Sequence, residues 1–157
     1  MPSITLHPDQ PFDLDATLAC GQVFRWNRSA DRWWCGIVGD KVLKIRQNGD
    51  RLTYAGVPAS FIRDYFSLDT DLGPVLASID TDPFIHACIW KNRGLRLVRQ
   101  PPWECTVSYI CSTNSNIPTI RRRIASIAGR CGSAVEFEGK MYHAFPEPSA
   151  ISCVGHD

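Results

Sequence analysis

The stretch Arg99–Ile124, RQPPWECTVSYICSTNSNIPTIRRRI, constrains the fold more than any other part of this chain. It joins two helix-like runs through a loop of small polar side chains and then presents three arginines. Apolar spacing predicts a first helix from about Pro102 to Cys111, with Trp103, Val107, Ile110 and Cys111 on one face. In the second, Asn116 stands as cap and Pro118 falls in the first turn, where a missing N–H costs nothing. Its apolar stripe is Ile117, Ile120, Ile124, Ile127 and Cys131, and Gly132 ends it. At about 100° per residue Arg122 points nearly opposite that stripe, and Arg121 and Arg123 flank it. Ser112, Thr113, Asn114 and Ser115 therefore sit in a tight polar loop beside a helix N-terminus. Such a place can donate backbone N–H groups to phosphate or insert a small amide between bases.

The charge distribution points the same way. The formal net charge of the 157 residues is only +1, but it is unevenly placed. From Lys91 to Arg130 eight Lys or Arg face a single acid, Glu104, whereas residues 1–90 carry eight bases against eleven acids and residues 131–157 one base against four acids. A +7 block in a near-neutral chain is a local footprint suited to a phosphate backbone. A solvated helix face is the competing explanation of the same block.

Seven scattered cysteines, with no CxxC and no histidine at metal-ligand spacing, fit reduced, buried thiols in a reducing compartment better than a disulfide framework. No metal and no organic cofactor is called for. The start of the chain lacks a signal pattern and no apolar run approaches membrane-spanning length, so a soluble, non-exported protein with no membrane partner is expected. The short N-terminus favours a prokaryotic, cytoplasmic, nucleoid-associated protein, with the nucleus as the eukaryotic equivalent.

The first half reads as an antiparallel sheet. Ile4–Leu6 is a short strand, and Phe12–Leu18 begins extended and turns helical before Gly21, where the chain needs a residue tolerant of positive φ. Gln22–Asn27, Trp33–Val38, Lys41–Arg46 and Leu52–Ala55 are strand-sized and rich in aromatic and branched residues. Gly39-Asp40 and Asn48-Gly49-Asp50 supply hairpin turns. Trp26, Trp33 and Trp34 are available to cover one face. After Pro58 the period becomes helical: Phe61, Ile62, Tyr65 and Phe66; then Leu72, Val75, Leu76 and Ile79; then Phe84–Trp90 behind an Asp82 cap and Pro83. Leu95–Val98 is extended or simply linking. Gln100-Pro101-Pro102 marks a boundary, giving a sheet-plus-helices domain at 1–99 and a helical domain at 100–157.

Two motifs, FDLDATLACGQVFRW (Phe12–Trp26) and QPPWECTVSYICSTNSNIPTI (Gln100–Ile120), together closely resemble the 8-oxoguanine DNA glycosylases of base-excision repair. Their spacing and the later YHAFP (Tyr142–Pro146) are similar to that family too. The similarity covers essentially all of this chain but only the front part of a complete enzyme. The resemblance implies an α+β fold: an antiparallel sheet with flanking helices, like the TATA-binding protein, followed by the opening of an all-α helix-hairpin-helix domain. It also implies base flipping, cleavage of the N-glycosidic bond of 8-oxoguanine in duplex DNA, and an associated abasic-site lyase activity. The partner is then double-stranded DNA carrying 8-oxoguanine, and a monomer is expected.

Residue by residue, the resemblance gives Gly21 a main-chain carbonyl that accepts a hydrogen bond from N7–H of the flipped lesion, a proton that normal guanine lacks. Asn114 matches the asparagine that fills the gap left by the extruded nucleotide and touches the estranged cytosine. Gln22, Phe24, Arg25 and Trp26 read as support for the glycine turn, and Asn116 as the helix cap. Arg121, Arg122 and Arg123 are phosphate candidates from charge and position alone. Two departures stand out. Thr119 replaces an arginine that helps read the opposite cytosine in the animal and fungal enzymes, which puts strict opposite-base preference in doubt. The family's catalytic lysine and later aspartate have no counterpart here, and would lie beyond Asp157, with Cys153–Asp157 reading as a helix start. The expectation is a lesion-reading part of a glycosylase/lyase that is inactive by itself. A non-catalytic module for damaged DNA is the alternative. With no further helices, the isoleucine stripe at 117–127 is expected to be exposed and aggregation-prone.

Overall fold

A computed structural model describes residues 1–153. The elements run β1 (Ser3–Thr5), α1 (Leu14–Ala19), β2 (Trp26–Arg28), β3 (Trp34–Val38), β4 (Lys41–Asn48) and β5 (Arg51–Ala55). There follow α2 (Ala59–Tyr65), α3 (Leu72–Ile79), α4 (Pro83–Lys91), α5 (Pro102–Ser112), α6 (Ile117–Cys131), β6 (Ala134–Phe137), β7 (Lys140–His143) and α7 (Pro148–Ser152). The fold is α+β, with a five-stranded antiparallel sheet in the order β1-β5-β4-β3-β2. It is the expected meander with β1 added beside β5, in a register that pairs Ile4 with Leu52.

By compactness the chain divides into two units, Met1–Gln22 with Ile45–Arg99 and Val23–Lys44 with the chain from Gln100 on. In the first, alternation along β4 and β5 turns Ile45, Leu52 and Tyr54 inward, where they are buried along with Leu14, Leu18, Ile62, Tyr65 and Phe66. Phe12 meets Phe66 edge-on at 5.4 Å between ring centroids. Asp82 caps α4 as its position before proline predicts, its carboxylate accepting from the N–H groups of Phe84 and Ile85.

In the second unit, Trp26 is 1% exposed and lies on the β3 residue it pairs with, Gly36. A Cβ on Gly36 would overlap the indole ring, so glycine is the residue that lets the tryptophan lie flat against the strand. A second core cluster joins Val107 of α5, Ile120 and Ile124 of α6, and Phe145.

Four expectations need correction. The strand predicted at Gln22–Asn27 begins only at Trp26, because the Gln22 amide holds the preceding backbone in a turn. Ile110 is 62% exposed, and the buried face of α5 instead carries Val107 and Ser108. The isoleucine stripe does not lie bare: Ile120 and Ile124 are buried with Val107 and Phe145, Ile127 packs half-buried against them, and Ile117 at the edge is 47% exposed. The cysteines are free but not buried. Cys20, Cys88, Cys105 and Cys153 are exposed and the other three intermediate; all but Cys35, which lies in β3, fall on outward helix positions or helix ends. The hairpin β6–β7 was not foreseen; its turn, Glu138-Gly139, has positive φ at both residues (+49° and +73°), the geometry that suits a two-residue hairpin. Cys153 caps the C-terminal end of α7, and Val154–Asp157, the rest of the expected helix start, lie outside the described residues.

Candidate nucleic-acid interface

Helix α1 stops at Cys20, and Gly21 turns the chain at φ +90°, a conformation that an L side chain adopts only at a cost. Gln22 then fastens the turn. Its Nε2 donates to the carbonyls of Thr17 (2.9 Å) and Arg96 (2.8 Å), and its Oε1 accepts from the N–H of Val98 (2.9 Å). Thr17, fully buried, accepts from the Arg96 N–H through Oγ1. One amide side chain thus ties the helix end to the 96–98 segment with every strong hydrogen-bonding group used but one lone pair. Among the described residues the Gly21 carbonyl itself accepts no hydrogen bond. The turn is rigid and its acceptor is unspent.

Arg96 supports the same segment from below. It is 2% exposed, and its guanidinium donates to the carbonyls of Pro11, Ser67 and Thr70 and to Gln10 Oε1. Nothing in the sequence singled it out, although an arginine between apolar neighbours in Leu95–Val98 was the available signal.

In the second unit Phe24 packs against the Val107–Phe145 cluster. Arg25 is nearly buried: its guanidinium donates to the His143 carbonyl, lies 3.6 Å from a Glu104 carboxylate oxygen and sits over the Phe145 ring. Burial pushes the Glu104 carboxyl above the usual range and the Arg25 guanidinium below its own, each opposed by the other's charge. So Arg25 and Trp26 serve the second unit: the first secures α5 and the end of β7, the second the β2–β3 pair. The lone acid in the basic block, Glu104, was the sequence signal for this pairing.

The loop between α5 and α6 is built by its own side chains. Ser112 Oγ donates to the Tyr109 carbonyl and Ser115 Oγ to that of Thr113. Asn116 caps α6, its Oδ1 accepting from the Thr119 N–H at 3.0 Å. Arg123 reaches back from α6, donating to the Cys111 carbonyl (2.9 Å) and to Ser115 Oγ. That leaves Asn114 at the tip with φ +49°, exposed, its side chain without a hydrogen bond among the described residues. Asparagine tolerates the left-handed region better than other side chains. Of the three arginines, Arg122 is exposed, Arg121 is half-buried with its Nε unpaired, and Arg123 is occupied in bracing the loop.

Among the described residues no group of three or more His, Cys, Asp or Glu side chains is placed to hold a metal ion, and no helix is long and apolar enough to cross a membrane. What the two units present is a fixed glycine turn with a free carbonyl, and a capped helical hairpin with a free amide at its tip and arginine beyond it. The apo structure of the Clostridium acetobutylicum 8-oxoguanine glycosylase/lyase is similar, with a TM-score of 0.90 at 28% identity over 99% of this chain and 56% of that one. The same enzyme in complex with double-stranded DNA containing cytosine opposite 8-oxoG gives 0.86 at 30% identity, over 92% and 51%. An Arabidopsis thaliana relative, N-glycosylase/DNA lyase OGG1, is 25% identical over 154 residues, 92% of this chain and 42% of its own length. The family model of the 8-oxoguanine DNA glycosylase N-terminal domain matches residues 4–106, and the chain belongs to this family. It spans about two fifths of the length of the Arabidopsis protein.

Proposed function

We propose that this chain reads 8-oxoguanine in duplex DNA for base-excision repair, as the lesion-recognising part of a glycosylase/lyase. The observation that carries the reading is the Gly21 turn: a carbonyl with no internal donor, on a backbone held by the Gln22 clasp, in a chain of this family. The flipped lesion offers N7–H to that carbonyl. Guanine offers a bare lone pair there, so its entry leaves the acceptor unpaired and sets two lone pairs face to face. Discrimination of about 1–3 kcal/mol follows from such a loss.

Asn114 enters the gap that the extruded nucleotide leaves, which keeps the unstacked duplex from collapsing. Arg122 and Arg121 neutralise phosphate, while Arg123 keeps the loop in shape. The chain's part in the reaction is recognition. Lys41 pairs with Asp40 and Lys44 with Glu138, and Lys91 and Lys140 lie exposed, whereas an amine that attacks a sugar carbon has to be uncharged and shielded. The work is done wherever the cell keeps its DNA, the cytoplasm of a prokaryote or the nucleus of a eukaryote.

Fluorescence anisotropy with two otherwise identical duplexes, one carrying 8-oxoguanine opposite cytosine and one guanine, tests this. The expected result is tighter binding of the lesion duplex by about tenfold, and loss of that preference in Gly21→Ala with only a modest fall in affinity. Equal affinity of the unaltered chain for the two duplexes, or an undiminished preference in the variant, would refute the role.

A further inference from the structure

Beside β1 the first unit carries a polar cavity to which lesion reading gives no task. It encloses about 350 Å³ between the end of β1 with the turn after it, the end of α2, and the Arg96 side chain. That is far more than one water fills and falls at the lower end of the range of small-ligand pockets.

Arg96 is the unusual group in its wall. It is 2% exposed, and a buried charge ordinarily has a charged partner. Here four of the five guanidinium N–H groups go to neutral oxygens: the carbonyls of Pro11, Ser67 and Thr70, and Gln10 Oε1. The second proton of Nη2 has no acceptor among the described residues, and no carboxylate among them pairs with the guanidinium. Asp69 and Asp71 act on it only from a distance. Both are held by other groups, Asp69 by Arg99 and Asp71 by the Gln10 amide and the Gly73 N–H.

Two further donors line the same cavity from different elements. Arg63, exposed in the last turn of α2, has no acidic partner among the described residues. His7 accepts from the Asp9 N–H at Nδ1 (3.2 Å), so its neutral ring keeps the proton on Nε2 as a donor. The Asp9 carboxylate lies 3.6 Å away on the Nδ1 side and is 86% exposed, so water screens it. The last carbonyls of α2, which would repel an anion, are already engaged: that of Ile62 by Phe66, of Arg63 by Leu68 and of Asp64 by Ser67. The rest of the wall is apolar, from Ile4, Leu6, Pro8 and Leu68.

We propose that this cavity is a binding site for a small phosphate monoester with a compact apolar body. A phosphate offers three terminal oxygens and close to two negative charges. Those match three donors converging from a turn, a helix and a buried side chain, and two guanidinium charges without carboxylate partners. A carboxylate brings two oxygens in one plane and one charge. The apolar body is what the aliphatic wall accommodates, and the volume leaves room for it.

The probe is phenyl phosphate, titrated into the nitrogen-15-labelled 157-residue chain while backbone amide and arginine Nε–H signals are followed by NMR. Signals of residues 4–10, Arg63 and Arg96 should shift together and saturate. Inorganic phosphate, which buries no apolar body, and benzoate should each bind about tenfold more weakly. Arg63→Gln should weaken phenyl phosphate about tenfold and His7→Ala by a smaller factor. Both side chains are exposed, so the rest of the spectrum should stay in place. Absence of saturable shifts at these residues, or undiminished binding in both variants, overturns the proposal. Equal affinity for inorganic phosphate or for benzoate does so as well. Displacement of phenyl phosphate by an undamaged duplex would also overturn it, giving the site to the DNA backbone. No arm reads lesion preference, so the outcome is independent of the Gly21 assignment.

Discussion

Replacing Arg25 by methionine removes one partner of a nearly buried ion pair, and the structure sets what this should cost. The two side chains are 9% and 12% exposed. Arg25 also supplies the donor to the His143 carbonyl and covers the Phe145 ring. Breaking such a pair from one side costs about 3–5 kcal/mol, of which about 1–3 is the orphaned carbonyl. The lower end is expected here, because Glu104 has a way out: burial already raises its pKa, and the neighbouring guanidinium is the first influence holding it down. Without Arg25 the value rises further. A carboxyl whose folded pKa exceeds its unfolded value of about 4.3 contributes stability that is fully present below that value and lost as pH rises through the folded one. Urea denaturation of Arg25→Met should therefore show a deficit of about 3 kcal/mol at pH 8. The deficit should shrink on acidification by up to about 1.4 kcal/mol per pH unit while Glu104 takes up its proton. Adding Glu104→Leu should recover all but the part due to His143. A deficit that is the same at pH 5 and pH 8, in a protein that the second substitution does not rescue, would refute the claim that buried charge is what Arg25 answers.

Arg96→Met should be more damaging, about 3–5 kcal/mol by the same assay, since it strands several acceptors at once; Arg96→Lys should recover only part, because an ammonium cannot span the same fork. Gly36→Ala should cost about 1–3 kcal/mol and alter the near-ultraviolet circular dichroism of Trp26, whose ring has to move to admit the methyl group; unchanged tryptophan signals would contradict the packing. Arg122→Ala should leave stability alone and reduce the slope of log affinity against log salt by about 0.9. Arg123→Ala should instead lower the melting temperature through the α5–α6 loop, and a pure salt-slope effect there would return Arg123 to the phosphate-binding group.

The parts of the fold that were legible in the sequence are those decided by neighbours in the chain. Asp82 followed by proline, Asn116 three residues before Thr119, and the glycine-led turns of the sheet are local chemistry, and each stands where its residue type predicts. What the sequence concealed depends on partners far along the chain. Arg25 meets Glu104 and His143, respectively 79 and 118 residues on, and the covering of the α6 stripe by Phe145 has no periodic signature at all. The Gln22 side chain shows how a long-range bond overrides a local preference. Its neighbours Val23, Phe24 and Trp26 favour a strand, but its amide is committed to backbone groups of residues 17, 96 and 98, and the chain stays in a turn until Trp26.

This division bears on how the candidate interface is built. A recognition group has to be free to bond with something outside the protein, so its immediate surroundings must satisfy everything else. At Gly21 the neighbouring glutamine takes up the carbonyls of Thr17 and Arg96 and the N–H of Val98, and leaves the glycine carbonyl alone. At Asn114 the serines and Arg123 close the loop among themselves and leave the tip amide alone. The same logic separates Arg122 from Arg123, two adjacent residues of one charge that a sequence cannot tell apart: one faces outward and the other is spent within 12 residues of its own position. Charge and motif locate the candidate segments, whereas the pattern of satisfied and unsatisfied hydrogen bonds picks out which atoms in each are free to bond outside the protein. A variant that satisfies the Gly21 carbonyl internally, with the turn left intact, should lose lesion preference as completely as one that removes the turn.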